Sequence, residues 1–353
     1  MIIYTDSKVA EAILDKNFVV LNTLYEYNTY AGDKMAVLHA PFPRNNDFID
    51  LTRIVNELEH ASKKIILLVS ELHDVTVDFI KQNDRDKLVY FINGHLNFTL
   101  HHAKTYQWMN WFDTTSTFYK KNSFLLDKLM PYENKLKFFD VLLGQERPHR
   151  SEIFRHCDEI SDHLILTYIN GMHPSLQERR SDEWLWEYEG LEIPDWPMRH
   201  TISKVKYHDQ MISLSQIIPI SIYNQTAYTV VAETWGVDNR FTFNTEKIVK
   251  PILAERLFLV ASNQYYLRNL RDMGFLTFGQ IIDESYDSEP DYVKRCKLIV
   301  DQMKYLIAQP QEIILEKLKP ITEHNKKIML ETDWYGDFSK ELRAVLLDHV
   351  EQN

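Results

Sequence analysis

Five short apolar runs in the first hundred residues, at 2–4, 18–21, 36–40, 65–69 and 88–92, alternate with stretches of helical spacing. Runs of this kind suit strands covered on both faces, and a parallel sheet with helices packed on each side provides that cover. Residues 50–61 supply one such helix, with Leu51, Ile54, Val55 and Leu58 on a single face. Residues 1–130 are therefore expected to form one α/β domain.

A second alternation follows. The segment 131–135 reads as a connector, after which residues 137–143 form a strand that ends at Gly144. The order then runs helix 151–160, strand 164–168, a long polar insertion at 170–208 carrying Trp184 and Trp196, strand 228–232, helix 246–254 and strand 257–261. This predicts a second α/β domain over 137–290, with the helical segment 291–353 packing back on both. A chain of 353 residues has room for two such domains, each with its own core. The expected class is α/β, with two Rossmann-like domains facing a cleft and a helical C-terminal segment.

No uninterrupted apolar run approaches the roughly 18 residues of a membrane span, and residues 1–16 lack the basic region and cleavage pattern of a signal peptide. A soluble, cytoplasmic protein is expected. Cys157 and Cys296 lie far apart and outside any metal spacing, which fits a reducing compartment. The formal net charge of −11 opposes non-specific binding to nucleic acid, although a local basic groove is compatible with it.

Chemistry concentrates at residues 228–286. A strand-like run and a polar loop give way at Thr245, Glu246 and Lys247 to the apolar spacing of Ile248, Ile252 and Leu253, so backbone N–H groups gather there at a helix start. Helix starts favour anions, and Lys247 and Lys250 add positive charge. The same residues also suit a charged first turn with Thr245 near the cap.

Glu233, Thr245, Glu246, Lys247, Lys250 and Pro251, followed by Leu267-Arg268, Leu270-Arg271, Gly274-Phe275 and Thr277-Phe278, resemble the donor-binding region of nucleotide-sugar glycosyltransferases. The likeness is to the Glu…Thr-Glu-Lys pattern of the α-1,3-fucosyltransferases and to bacterial and viral relatives. It implies that Glu246 meets a nucleotide ribose and Lys247 the phosphates, with Glu233 beside the donor hydroxyls. Chemistry is compatible with those roles, since a carboxylate accepts from two hydroxyls and an ammonium offsets phosphate charge.

The strand-exit loop 144–150, Gly-Gln-Glu-Arg-Pro-His-Arg, resembles a segment of the same relatives. Ligands of open α/β sheets gather outside the carboxyl ends of strands, where Arg147 and Arg150 can aim guanidinium forks at a diphosphate. Solvated arginines at a surface cap are the alternative. Tyr223, Tyr228 and Phe243 are candidates to sandwich the nucleobase, and residues 108–113 to stack on a sugar, although aromatics at this spacing usually pack a core, and core packing is the favoured role for each. For a base that takes the acceptor proton, Glu71, His73, Asp74 and His95 follow strand candidates of the first domain, where structural roles compete. No metal ligand set is expected: Asp283, Glu284 and Asp287 read as an acidic turn, and His101-His102 as a simple pair.

Together these readings predict a glycosyltransferase that works without a metal or resident cofactor and takes a nucleotide-diphosphate sugar as co-substrate. The acceptor would be a glycan, a lipid-linked sugar or a modified DNA base, the last disfavoured by charge. The alternative is a catalytically silent scaffold of the same fold, using the tryptophan-rich insertion for protein contacts.

Overall fold

The computed structural model describes residues 2–5, 19–21, 27, 34–40, 47–168, 191–192 and 204–347. The chain divides into two compact units, residues 1–110 with 333–353, and residues 111–332. Both are α/β and both are built on a parallel sheet. Most of the insertion, including Trp184 and Trp196, lies outside the described residues.

The first unit contains β1 (Ile2–Thr5), β2 (Val19–Leu21), β3 (Lys34–His39), α1 (Asp47–Ala61), β4 (Lys64–Val69), α2 (Asp74–Gln82), β5 (Leu88–Ile92), β6 (His95–Leu96) and β7 (Lys104–Gln107). Its sheet has the order β2-β1-β3-β4-β5-β7, every pair parallel. The apolar runs are unbroken because both faces are covered. Alternate residues Ile3, Met35, Val37, Ile66, Leu68, Val89 and Phe91 form one core with Phe338, Leu342, Val345 and Leu346. Those last four repeat at helical spacing on the helix Trp334–Leu347. The helix α1 packs on β4 and α2 through its buried Leu51, Val55 and Leu58.

The second unit begins with α3 (Asn110–Lys121), which starts at the boundary, then β8 (Lys137–Leu143), α4 (Pro148–His156) and β9 (Leu164–Tyr168). A small antiparallel sheet follows, made of β10 (Leu191–Glu192), β11 (Lys204–Tyr207) and β12 (Gln210–Ser213). After it come α5 (Ile220–Gln225), β13 (Thr226–Ala232), β14 (Phe241–Thr242), α6 (Glu246–Leu253), β15 (Phe258–Ala261), α7 (Tyr266–Asp272), α8 (Tyr292–Ile307) and α9 (Gln311–Glu331). The main sheet has the order β15-β13-β8-β9, all parallel. Every residue of β13 is buried, as a central strand covered on both faces requires. The helix α8 packs on α4, β8 and β15, while α6 packs on β13 and against α9.

One element starts earlier than its apolar spacing suggests. Helix α4 opens at Pro148 rather than at 151, with Arg147 as its N-cap residue. Proline suits a first helical position because its fixed φ is already helical and its missing N–H has no partner to lose. Arg150 therefore belongs to a helix, and the loop after β8 is only residues 144–147. Among the described residues, no helix is long and apolar enough to cross a membrane.

Candidate functional site

The main sheet of the second unit reverses its winding between two neighbouring strands. From β8 the chain moves outward to β9 on one side, and later to β13 and β15 on the other. The loops leaving β8 and β13 thus lead to opposite sides of the sheet, and open α/β sheets usually bind their ligands outside the carboxyl ends of the strands at such a reversal. Arg147 lies in the first of these loops and Glu233 begins the second. In the first sheet the strand order reverses between β1 and β3, but the segments that follow lie mostly outside the described residues.

Buried polar groups lock the two loops together. Arg150 donates from Nη2 to the Ala232 carbonyl at 3.1 Å and the Glu233 carbonyl at 2.8 Å, and from Nη1 to the Gln145 carbonyl at 2.7 Å. Burial, with the positive charge of Arg147, brings its pKa down to about 10. His149 Nε2 stands 2.9 Å from the Glu233 carbonyl, so Nε2 carries the proton. Burial and the adjacent Arg150 lower the His149 pKa to about 3, which keeps the ring neutral at pH 7. Gly236 covers that ring so closely that an added Cβ would fall 2.4 Å from its Cγ.

The fully buried Glu233 side chain reaches the start of α6. Its Oε2 accepts from the Thr245 hydroxyl at 2.6 Å, and its Oε1 accepts from Tyr266 at 2.8 Å and the Thr245 N–H at 3.3 Å. Burial raises its pKa, against the opposing effect of Lys247 and these hydrogen bonds. Thr245 is the N-cap residue of α6, and its oxygen accepts from the Lys247 N–H at 3.2 Å. The hydroxyl also lies 3.3 Å from Lys247 Nζ, so its one hydrogen and both lone pairs are engaged.

Glu246 Oε1 is 2.9 Å from Lys247 Nζ. Burial pushes the Glu246 carboxyl up, but Lys247 and Lys250 together outweigh it and hold the pKa below the ordinary value. Lys250 is depressed to about 8, chiefly by burial, with Glu246 acting in the opposite sense. A carboxylate, two ammonium groups and a helix N-terminus thus share the end of α6. Such a cluster can hold a hydroxyl-rich anion through the carboxylate and the cations together.

The four candidate bases belong to the first unit. Glu71 and His73 pair across 3.2 Å, His73 is the N-cap residue of α2, and Asp74 accepts from the Val75 N–H at 2.9 Å. His95 lies apart on β6, beyond Asn93 and Gly94, whose φ of +134° requires glycine. The Gln107 amide stands 3.1 Å from His95 Nδ1. A cavity of about 450 Å³ lies beside the end of β5 and along β7, lined by His95, Phe98, Thr99, Tyr106 and Gln107 among others. His95 is the one of the four bases that lines it.

Several aromatic candidates are core residues, the role their spacing favours. Tyr223, Tyr228 and Phe243 are buried in the second unit, Tyr228 against Phe139 at 5.3 Å and Tyr223 under the Arg256 guanidinium at 4.3 Å, which leaves no ring face for a base. Trp108 stacks on Phe338 at 5.2 Å, and Phe112 meets Phe275 edge-on at 6.0 Å, so neither offers a surface to a sugar. Asp287 accepts from the N–H groups of Leu267 and Arg268 at the start of α7, and Glu284 from Phe278 and Thr277. Both acids thus serve local backbone structure. No group of residues that could hold a metal ion is found among the described residues.

Trp235 and Gly236 belong to the same locus as His149 and carry no local sequence signal beyond their place after β13. The loop pattern at 144–150 points to His149, which sits between the two arginines. No protein-family model, curated protein or solved structure matches this chain.

Proposed function

We propose that this protein is a glycosyltransferase that holds a nucleotide-diphosphate sugar at the carboxyl ends of β8 and β13. The observation that carries the reading is the convergence of Arg147, Glu233, Thr245, Glu246, Lys247 and Lys250 on the strand-order reversal of the second sheet. Two Rossmann-like domains of the GT-B type, one for the donor and one for the acceptor, are the architecture this function implies.

In the proposed reaction, an acceptor hydroxyl oxygen bonds to the anomeric carbon while the bond from that carbon to the phosphate oxygen breaks. The bonding pair leaves with the nucleoside diphosphate, whose charge Arg147 and the lysines offset. The hydroxyl proton passes to a base, for which Glu71, His73, Asp74 and His95 are the candidates. Isothermal titration with nucleoside diphosphates and their sugars tests the donor half, and release of diphosphate from the sugar nucleotide tests the transfer. Absence of binding by every member of the panel would reject the reading.

One observation favours a second reading. Glu233 is saturated by Thr245 and Tyr266, and Glu246 already pairs with Lys247, as expected if these charges only fasten loops in a catalytically silent binding protein. The same titration separates the two, since a scaffold would show no nucleotide affinity.

A further inference from the structure

The loop that leaves β13 is pinned at four carbonyls. Arg150 holds those of Ala232 and Glu233, Ser262 Oγ donates to Trp235 at 3.1 Å, and Arg295 Nη2 donates to Gly236 at 3.1 Å. His149 adds a second bond to Glu233, and its ring lies flat under Gly236. Two buried guanidiniums and an imidazole thus fix one short loop. Trp235 is one of the partly exposed side chains of this loop, with Thr234 and Val237 beside it.

Across from it, the Arg147 guanidinium lies 5.4 Å from the Trp235 ring centroid. Its hydrogen bonding is sparse: Nη1 reaches only the neighbouring Glu146 carbonyl at 3.3 Å, and Nε has no partner. Among the described residues no carboxylate pairs with it. The other cations of the locus are engaged, Lys247 by Glu246 and Arg150 and Arg295 by carbonyls, while Lys250 feels Glu246. A guanidinium packed against an indole keeps its in-plane N–H groups available, and the packing limits the side chain's rotation.

We propose that Arg147, packed on Trp235, is the anion fork of this locus and takes a diphosphate, with Trp235 as its positioning residue. The inference deepens the donor-site reading and rests on it for the identity of the ligand. It assigns the diphosphate contact to Arg147 and leaves Arg150 a structural role beneath it.

Titrations with inorganic pyrophosphate and with the diphosphates of uridine, guanosine, cytidine, adenosine and thymidine test it on the full chain. Arg147→Lys should weaken pyrophosphate binding by about tenfold or more, the scale of one lost charge-assisted contact. Trp235→Leu should weaken it several-fold and Trp235→Phe should restore it, because only Phe offers a π face; a purely structural tryptophan would not separate the two. Both Trp235 variants should unfold at similar temperatures. Equal affinity in wild type, Trp235→Leu and Trp235→Phe overturns the positioning role, and equal affinity in Arg147→Lys overturns the fork. Pyrophosphate binding that depends on both residues, with no nucleoside diphosphate bound more tightly, keeps the fork and removes the nucleotide-sugar reading. Nucleotide binding indifferent to both residues does the reverse, and failure of the wild type to bind any probe overturns both.

Discussion

The Thr245 hydroxyl donates to Glu233 Oε2 at 2.6 Å while its oxygen caps α6 through the Lys247 N–H at 3.2 Å. One side chain thereby ties the exit of β13 to the start of the helix twelve residues on. Thr245→Val keeps the shape but removes the cap and leaves a buried carboxylate short of a donor, so it should destabilise the protein by about 1–3 kcal/mol. Thr245→Ser should retain most of the wild-type value. Urea unfolding of the two variants measures the difference, and equal midpoints would show that the bond contributes nothing.

Gly236→Ala should be costly for a different reason. The new methyl would fall 2.4 Å from His149 Cγ, so ring or loop must move, and the bond from Nε2 to the Glu233 carbonyl is the one at risk. Overpacking of this kind costs about 1–3 kcal/mol. Thermal unfolding checks the loss, and a wild-type midpoint would mean that the ring shifts freely.

A buried pair in the second unit makes a sharper demand. Arg256 Nη2 meets Asp140 Oδ1 at 2.7 Å, both side chains being almost wholly inaccessible, and the guanidinium also serves the hydroxyls of Thr226 and Thr229 and the carbonyls of Tyr223, Thr226 and Tyr228. Arg256→Met should cost about 3–5 kcal/mol, because it strands Asp140 in the core. Adding Asp140→Leu should recover part of that loss. Unfolding free energies of the single and double variants decide the matter, and a double variant no better than Arg256→Met would contradict the account.

The sheets were legible because an unbroken apolar run has few places to go: residues 65–69 and 88–92 become β4 and β5, paired Ile65 to Leu88. The start of α4 was less so, although Pro148 carried the signal, and the shift moves Arg150 from a loop to a helix whose side chain holds the neighbouring loop. Long-range partners were not legible at all. Asp140 and Arg256 are 116 residues apart, and neither has a local pattern that names the other. The burial of Tyr223, Tyr228 and Phe243 follows the usual packing of aromatics at this spacing, which favours a core role over a nucleobase clamp. At the start of α6, by contrast, local spacing placed Thr245, Glu246 and Lys247, since capping is a short-range property.

Acid should loosen the second unit through His149. Its pKa is about 3 in the folded chain against an ordinary 6.5, with burial as the main cause and Arg150 the next. Between those values the unfolded chain binds a proton that the folded one refuses, so stability should rise with pH from about 3 to 6.5 and fall on acidification. Glu233, raised by burial, acts in the opposite sense above its ordinary pKa and offsets part of the slope. Chemical unfolding at several pH values should show a shallower slope for His149→Asn than for wild type, and an unchanged slope would place the acid sensitivity elsewhere.

Glu246 bears most directly on the donor reading. Its carboxylate lies 2.9 Å from Lys247 Nζ, so Glu246→Gln changes two things at once: it weakens acceptance from ribose hydroxyls and leaves Lys247 without its ion-pair partner. The second effect should strengthen attraction for phosphate equally in any nucleoside diphosphate. Comparing a ribonucleotide with its 2′,3′-dideoxy form cancels it, because only the ribonucleotide has hydroxyls to lose. If Glu246 meets the ribose, the substitution should cost the ribonucleotide about 1.5–3 kcal/mol more than the dideoxy compound. If it only favours the start of α6, stability should change by about 0.3–1 kcal/mol and the two affinities should move together. Zero coupling in this cycle, measured by titration of both proteins with both nucleotides, would remove the ribose contact from the proposed site.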